Sequence, residues 1–167
     1  MEHRHSDASP GADLDIARVA EVDHEELFAA FARIVEDREG FPQAPPLTRP
    51  QFDDYWLAHS TSVVRARVGG ALAGAYYLKP NFVGRAAHIA NAGYFVVAGF
   101  RGTGLGRHLV VHSLDEARRV GFDALQFNLV FESNPARRLY EDLGFETIGR
   151  VPRAVDGEDA VIYWRAL

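Results

Sequence analysis

The 167-residue sequence contains no cysteine, one methionine and two tryptophans. Without cysteine the chain has no disulfide bond, no thiolate metal ligand and no cysteine nucleophile, and the redox state of its compartment stays open. Acidic residues outnumber basic ones by 23 to 18, so the positive excess that a general nucleic-acid-binding surface needs is missing. We therefore expect no nucleic-acid partner.

Long apolar runs are missing as well. The longest, residues 92–100, is too short to span a bilayer, and the acidic start of the chain does not resemble a signal peptide. The pattern predicts a soluble, cytoplasmic protein with no membrane partner. Residues 1–13 are predicted to be a mobile N-terminal tail and residues 14–167 a single domain. His3 and His5 have no third ligand nearby, so no metal site is expected.

Hydrophobic periodicity predicts eleven elements after the tail, in the order β-α-α-β-β-β-α-β-α-β-β. This is an α/β (α+β) arrangement, with four helices on the faces of one mixed sheet of about seven strands. Two signals mark helix starts, Asp23 with Glu26 and a capping box of Thr48 with Gln51. The predicted strands are 14–19, 62–68, 71–79, 87–97, 123–130, 145–151 and 160–167; the helices are 24–37, 49–59, 104–120 and a short one between Pro135 and Gly144.

A glycine turn between a strand and a helix is the most informative motif. Gly104 and Gly106 leave no Cβ between the backbone and a ligand above it. Backbone N–H groups and the positive end of the helix dipole can hold a phosphate or pyrophosphate there without a metal. The candidate binding residues are Arg101, Gly102, Thr103, Gly104, Leu105, Gly106 and Arg107, with the two arginines adding charge.

Two nucleotide-binding motifs compete with this interpretation and match poorly. A dinucleotide-binding fingerprint fails because its third glycine is misplaced and because Asp123 begins the following strand instead of ending it. A P-loop fails because no Lys-Ser/Thr pair follows the glycines.

The spacing Arg-x-x-Gly-x-Gly from Arg101 resembles motif A of the GCN5-related N-acetyltransferases (GNATs). Asn134 with the Leu-Tyr-x-x-Leu-Gly-Phe segment at 139–145 resembles their motif B. This resemblance covers residues 14–167 and implies the GNAT fold with acetyl-CoA as cosubstrate. The pyrophosphate would sit on the glycine turn and the pantetheine between strands 87–97 and 123–130, on the backbone of Tyr94, Phe95 and Val96. Ala98 departs from the proline that many members carry.

Segments 89–93, 127–134, 148–152 and 160–163 resemble fungal acetyltransferases that act on azetidine-2-carboxylate and related proline analogues. The resemblance implies roles for Asn91 and Asn128 at the acceptor and for Asn134 at the pantetheine. Tyr140 stands where those enzymes have tryptophan.

The residues themselves allow two interpretations of each position. Asparagine is depleted in strands, so Asn91 and Asn128 are either satisfied strand residues or binding residues. Asn134 is either a helix cap or a cofactor ligand, and Tyr140 either a core aromatic or the acid that protonates the leaving thiolate. His88 and Glu132 are candidate bases, but residues of this kind are more often ordinary surface residues of a strand or loop.

Together these features predict an acetyl-CoA-dependent N-acetyltransferase that acetylates a small-molecule amine directly, with no covalent intermediate and no metal. The acceptor is expected to be an amino acid or proline analogue, and the oligomer a monomer or homodimer. Alternatives are acetylation of protein N-termini, of an aminoglycoside or of a polyamine, and a non-catalytic acyl-CoA sensor.

Overall fold

The computed structural model describes residues 13–167, so nearly all of the predicted tail lies outside the described residues. One seven-stranded sheet has the order β1-β2-β3-β4-β5-β7-β6, and only β4 and β5 run parallel. This confirms the predicted mixed sheet with four helices. The strands are β1 (Leu14–Arg18), β2 (Ser62–Val68), β3 (Ala71–Pro80), β4 (Ile89–Val96), β5 (Ala124–Phe131), β6 (Glu146–Val155) and β7 (Glu158–Ala166); the helices are α1 (His24–Glu36), α2 (Arg49–Phe52), α3 (Leu105–Arg119) and α4 (Arg137–Asp142).

The alternating side chains of the strands form two cores, one on each face of the sheet. Helices α3 and α4 cover the face that carries Tyr76, Tyr94 and Phe127. Helices α1 and α2 cover the opposite face, where Tyr77 and Phe95 meet a dense cluster of aromatic rings. Consecutive residues of β4, such as Tyr94 and Phe95, therefore face different helices. No helix within residues 13–167 has the length and apolar character needed to cross a membrane.

The capping box at α2 is confirmed. The backbone N–H of Gln51 donates to Thr48 Oγ1 at 3.4 Å, and the backbone N–H of Thr48 donates to Gln51 Oε1 at 2.9 Å. Residues 53–58 continue the helix as a wider π-helical turn instead of the regular helix predicted to residue 59. There the buried Trp56 stacks on Phe52, with ring centroids 6.2 Å apart, while the Tyr55 hydroxyl reaches the Tyr77 hydroxyl at 2.9 Å.

The predicted cap of α1 is wrong. Asp23 has helical backbone angles and its side chain caps no helical N–H; it accepts instead from the N–H of Ala20 at 2.9 Å. Asp23 and Glu26 both bind Arg67 of β2, at 3.0 and 2.7 Å. Asp23 and Glu26 thus form tertiary ion pairs in place of the predicted capping interaction at α1, because β2 places Arg67 next to them.

Glu116 of α3 anchors the edge of the sheet. Its buried carboxylate accepts from Arg18 of β1, Ser62 of β2 and Arg119 at 2.7 to 3.0 Å. The Arg119 hydrogen bonds, with those from Ser62 and Arg18, outweigh burial and lower the pKa of Glu116 from 4.5 to about 2. The charged form is therefore the one that stabilises the fold.

We predict that Glu116→Gln lowers the free energy of unfolding at pH 7 by about 1–3 kcal/mol, because a buried set of donors loses its charged acceptor. The pKa of Glu116 is lower in the folded state, so its contribution is complete above pH 4.5 and is lost as the pH falls toward 2. Urea unfolding should show that the difference in stability between wild type and variant is smaller at pH 3 than at pH 7, by up to roughly 2 kcal/mol. Asp115→Asn, at an exposed neighbour paired with Arg118, is the matched control; an unchanged difference in stability would contradict the assignment.

Candidate cofactor and acceptor clefts

Strands β4 and β5 pair over only three residues and then separate. Ile89, Ala90 and Asn91 are in register with Ala124, Leu125 and Gln126, and no pair follows. On its other side β4 stays paired with β3 as far as Val96. One edge of β4 is therefore open between Asn91 and the glycine turn.

The open edge presents the backbone of alternate residues. The Val97 N–H donates to Ala73 O at 2.8 Å. Because N–H and C=O directions alternate along a strand, the backbone groups of the odd-numbered residues of β4 point toward β3. Tyr94 and Val96 consequently direct their N–H and C=O groups into the gap. There Val96 O accepts a hydrogen bond from Arg101 Nε at 3.3 Å. Phe95 differs, because its carbonyl faces Gly74 of β3 and its ring is buried among Phe31 and Trp56.

The glycine turn follows β4 directly. Gly102 and Gly104 have φ of +76° and +84°, a conformation that side chains disfavour. Gly104 is the N-cap of α3, and within the described residues no side chain caps this helix start. The first helical N–H groups, those of Leu105, Gly106 and Arg107, therefore have no intrahelical acceptor.

Side chains around the turn have distinct tasks. Thr103 Oγ1 donates to Phe100 O at 2.6 Å and braces the turn, while the Leu105 side chain is buried in the core. Arg101 forms an ion pair with Glu39 from the α1–α2 loop at 2.5 Å. Arg107 is exposed at the start of α3. Both predicted arginines thus lie at the turn, but Arg101 already has an anionic partner.

Two clefts meet at the separation of β4 and β5. The larger, about 490 Å³, runs from the glycine turn past Val96 toward α4. The smaller, about 260 Å³, lies on the side of Asn91 and Asn128. Both clefts are lined by Gly40, Phe41, Tyr94, Asn134 and Tyr140.

Tyr140 of α4 lies at the junction of the two clefts. Its ring is 7% exposed and packs on Phe127 with centroids 4.7 Å apart. Burial, followed by the nearby Tyr163, raises the pKa of its hydroxyl. Tyr94, in contrast, has its hydroxyl 2.6 Å from Ser113 Oγ, on the side of α3. Of these two tyrosines, Tyr140 is the one whose hydroxyl makes no hydrogen bond to any residue in the 13–167 range.

Asn134 does cap the segment that leads into α4. Its Oδ1 accepts from the Ala136 N–H at 2.9 Å. Because the cap uses only the oxygen, the Nδ2 group stays available to a ligand, and Asn134 lines both clefts. Capping and ligand binding are compatible here.

Asn91 closes the fork where β4 and β5 part. Its Nδ2 donates to Gln126 O at 3.0 Å, and its Oδ1 accepts from the Tyr77 hydroxyl at 3.3 Å. Tyr77 also fills the space above Gly93, where a Cβ would come within 2.7 Å of its ring. Asn91 is therefore a satisfied strand residue that also lines the smaller cleft.

Asn128 lies on a β-bulge of β5, where the register with β7 shifts between Phe127 and Val130. Its amide makes a reciprocal pair with Asn81, at 2.6 and 3.1 Å, and its Oδ1 also accepts from Gln126 Nε2 at 3.0 Å. No local sequence pattern selects Asn81, because it lies 47 residues from its partner; Gln126 was missed as well.

A second group missed by the sequence consists of Tyr55, Tyr77 and Lys79. The Lys79 ammonium lies 4.0 and 4.3 Å from the centroids of the two rings and donates to Tyr55 O at 2.9 Å. Burial lowers the pKa of Lys79, and the charge of exposed Asp54 opposes that shift. A basic residue near the end of a strand gives no signal of such an environment.

The candidate bases lie elsewhere. His88 Nδ1 faces Asp123 at 3.3 Å and Glu132 pairs with Arg150 at 2.9 Å, both on the surface. Neither lines the cleft that holds Asn91 and Asn128.

Known proteins share this arrangement. The family model described as Acetyltransferase (GNAT) family matches residues 27–145. A GCN5-related N-acetyltransferase from Kribbella flavida superposes with a TM-score of 0.85 at 33% identity, over 93% of this chain and 98% of that one. The chain belongs to the GNAT family of acetyltransferases.

Curated relatives match over part of the GNAT domain. N-acetyltransferase aca1 of Schizosaccharomyces pombe is 44% identical over 85 residues, 50% of this chain and 41% of that protein. Protein SPT10 of Saccharomyces cerevisiae is 37% identical over 82 residues, 48% of this chain and 13% of that protein. The matched segments thus span less than half of these relatives. The fold also matches yncA of Salmonella typhimurium, a structure with its cofactor acetyl-CoA, at a TM-score of 0.80 and 18% identity over 93% of this chain and 94% of that one.

GNAT enzymes use acetyl-CoA, and the larger cleft fits such a cofactor. A Cβ at Gly104 would meet nothing within 4 Å, so the turn is open above the unpaired N–H groups of α3. The open edge of β4 offers main-chain partners to an extended amide chain. The donors needed by a pyrophosphate and by a pantetheine are therefore present in the expected order along the cleft.

We predict that Gly104→Glu weakens CoA binding by at least about tenfold, because a carboxylate would occupy the anion position at the start of α3. Gly121→Glu is the matched control: it has φ of +96°, equally open surroundings and lies just beyond the other end of the same helix. Calorimetric titration of both folded variants measures the effect. Equal CoA affinity in the two would contradict the site.

Proposed function

We propose that this GNAT domain transfers the acetyl group of acetyl-CoA directly to the amine of a small molecule, an amino acid or proline analogue. The observation that carries the proposal is the meeting of two clefts at the buried Tyr140, with the unpaired edge of β4 between them. One cleft suits the cofactor and the other an acceptor. A reaction between the two molecules needs such a junction.

Cofactor binding would use the backbone more than side chains. The N–H and C=O groups of Tyr94 and Val96 would hold the pantetheine, and the Asn134 amide would add a contact from α4. The first turn of α3, with Arg107, would hold the pyrophosphate. Acetyl-CoA supplies the acetyl group as a thioester, and the N–H groups of β4 would polarise its carbonyl.

Tyr140 is proposed as the acid that protonates the departing thiolate. Its buried hydroxyl has a raised pKa, so it keeps its proton at neutral pH and has no competing partner in the described part of the chain. The hydroxyls of two neighbouring tyrosines are committed: that of Tyr94 to Ser113, and that of Tyr163 to Arg137 and Glu141. The position of Tyr140 at the junction and its uncommitted hydroxyl, and not its acidity, make it the candidate donor.

The acceptor cleft is suited to orientation. Asn91 and Asn128 would position the acceptor. Among residues 13–167 no carboxylate lines this cleft to act as a strong base, so water would remove the proton of the amine. A volume of about 260 Å³ matches a single amino acid better than an aminoglycoside. The absence of a cysteine nucleophile from the sequence favours direct transfer over a thioester intermediate on the enzyme.

A screen with acetyl-CoA tests the proposal. Free amino acids, proline analogues, simple amines and peptides are offered separately, and release of the CoA thiol is measured. We expect turnover with one or more free amino acids or proline analogues. Turnover with peptides alone would make the domain an N-terminal acetyltransferase, and CoA binding without any turnover would favour a sensor.

We predict that Tyr140→Phe lowers kcat by about 10²–10⁴-fold while CoA affinity stays near the wild-type value, because only the proton donor is lost. Tyr94→Phe is the matched control, since its hydroxyl bonds to Ser113. Steady-state kinetics with the best acceptor and CoA titration separate the two effects. Wild-type kcat in Tyr140→Phe would return this residue to a packing role.

A further inference from the structure

Lys79 is the only lysine among the 18 basic residues of the chain. It lies in β3 directly opposite Asn91 of β4, and its ammonium rests against the Tyr55 and Tyr77 rings, which line the acceptor cleft. We propose that the charge of Lys79 makes this cleft selective for acceptors that carry a carboxylate beside the amine. The inference rests on the proposed function and names the acceptor class and a residue that selects it.

The position of Lys79 is unusual for a positive charge. It is partly buried, and its one hydrogen bond among described residues goes to the neutral carbonyl of Tyr55. Among the described residues, the carboxylate that acts on its pKa is that of Asp54, which is 77% exposed and lies 3.5 Å from His59. Its charge is therefore not neutralised by a buried partner, and its field extends into the adjacent cleft.

The amides of the cleft are arranged to donate. Asn91 Nδ2 uses one hydrogen on Gln126 O and has a second one left. Asn128 Oδ1 already accepts from Asn81 and Gln126, and its Nδ2 gives one hydrogen to Asn81, so one N–H is its remaining group. The hydrogen-bonding capacity left to a ligand at Asn128 is a donor.

Donors beside a positive charge complement a carboxylate. No aspartate or glutamate of the described part of the chain lines the acceptor cleft, so a polyamine or aminoglycoside would find no partner there for its additional cationic groups. An amino acid offers an amine to the cofactor side and a carboxylate to the amide N–H groups. Lys79 contributes through its field from behind the tyrosine rings, as a specificity-determining residue.

Paired acceptors that differ only in the carboxylate test this role. L-azetidine-2-carboxylate is compared with L-azetidine-2-carboxamide, and L-alanine with L-alaninamide, in wild type, Lys79→Met and Lys79→Arg. Arg118→Met, which removes one positive charge at the far end of α3, is the matched control. For each variant, the fold-change in kcat/KM relative to wild type is compared between an acid and its amide. Because each substrate is its own reference, the different basicities of the two amines do not affect the comparison.

We expect Lys79→Met to lower kcat/KM for the acids roughly 5- to 20-fold, mainly through KM, and to change the amides less than about twofold. Lys79→Arg should retain most of the acid preference, and Arg118→Met should change neither class. In wild type, raising salt from about 50 to 500 mM should increase KM for the acids and not for the amides. CoA affinity should be the same in all variants.

If Lys79→Met lowers kcat/KM equally for the acid and the amide, Lys79 is a structural residue and the inference is overturned. An unchanged preference for acids over amides in Lys79→Met also overturns it. If that variant does not fold, a salt-independent acid KM in wild type overturns it, and a salt-dependent one supports it. A wild-type enzyme that acetylates the amides but not the acids contradicts the role of Lys79 and leaves the small-molecule function standing. A wild-type enzyme that acetylates no member of either pair and no other small amine contradicts the proposed function itself.

Discussion

The backbone groups that β4 leaves unpaired beyond Asn91 determine most of what the domain can bind. A sheet interior normally satisfies both edges of each strand, and an unpaired N–H or C=O shielded from water costs free energy. Here the parting of β4 from β5 exposes the Tyr94 and Val96 backbone inside the fold. The Asn91 amide, bonded to Gln126 O, fixes where the separation begins. The cleft, the direction of the cofactor and the location of Tyr140 all depend on that point.

The proposed cofactor site and the proposed acceptor site lie on opposite faces of the sheet, where β4 and β5 separate. The face under α3 and α4 carries the larger cleft and the proposed proton donor, Tyr140. The opposite face carries Asn91 and Lys79, which are in register on β4 and β3 beside the aromatic cluster of α1 and α2, and Asn128 lines the smaller cleft with Asn91. The α1–α2 loop joins them, since Gly40 and Phe41 line both clefts and neighbouring Glu39 holds Arg101 at the glycine turn. A cofactor phosphate arriving at the turn would therefore meet an arginine that is already paired with Glu39, which lines the same larger cleft.

Local patterns predicted the fold well because each is a short-range rule. The Thr48–Gln51 box and Gly104, which has a positive φ at the start of α3, act within a few residues of chain. The predictions that were wrong or missing involve partners distant in sequence. Asp23, predicted to cap α1, instead binds Arg67, 44 residues away. Asn81 and Lys79 could not be selected from sequence, because their environment exists only after β3 lies beside β4. The roles of Asn91, Asn128, Asn134 and Tyr140 remain predictions, although all four line the clefts.

The assignment of the open β4 edge as the cofactor site can be tested by amide hydrogen exchange, resolved by residue, with and without CoA. We expect the Tyr94 and Val96 N–H groups, which face the gap, to become protected when CoA binds. The Val97 N–H, bonded to Ala73 O, should be protected in both states and serves as the internal reference. Protection confined to other strands, with Tyr94 and Val96 unchanged at saturating CoA, would contradict the assignment of this edge as the cofactor site.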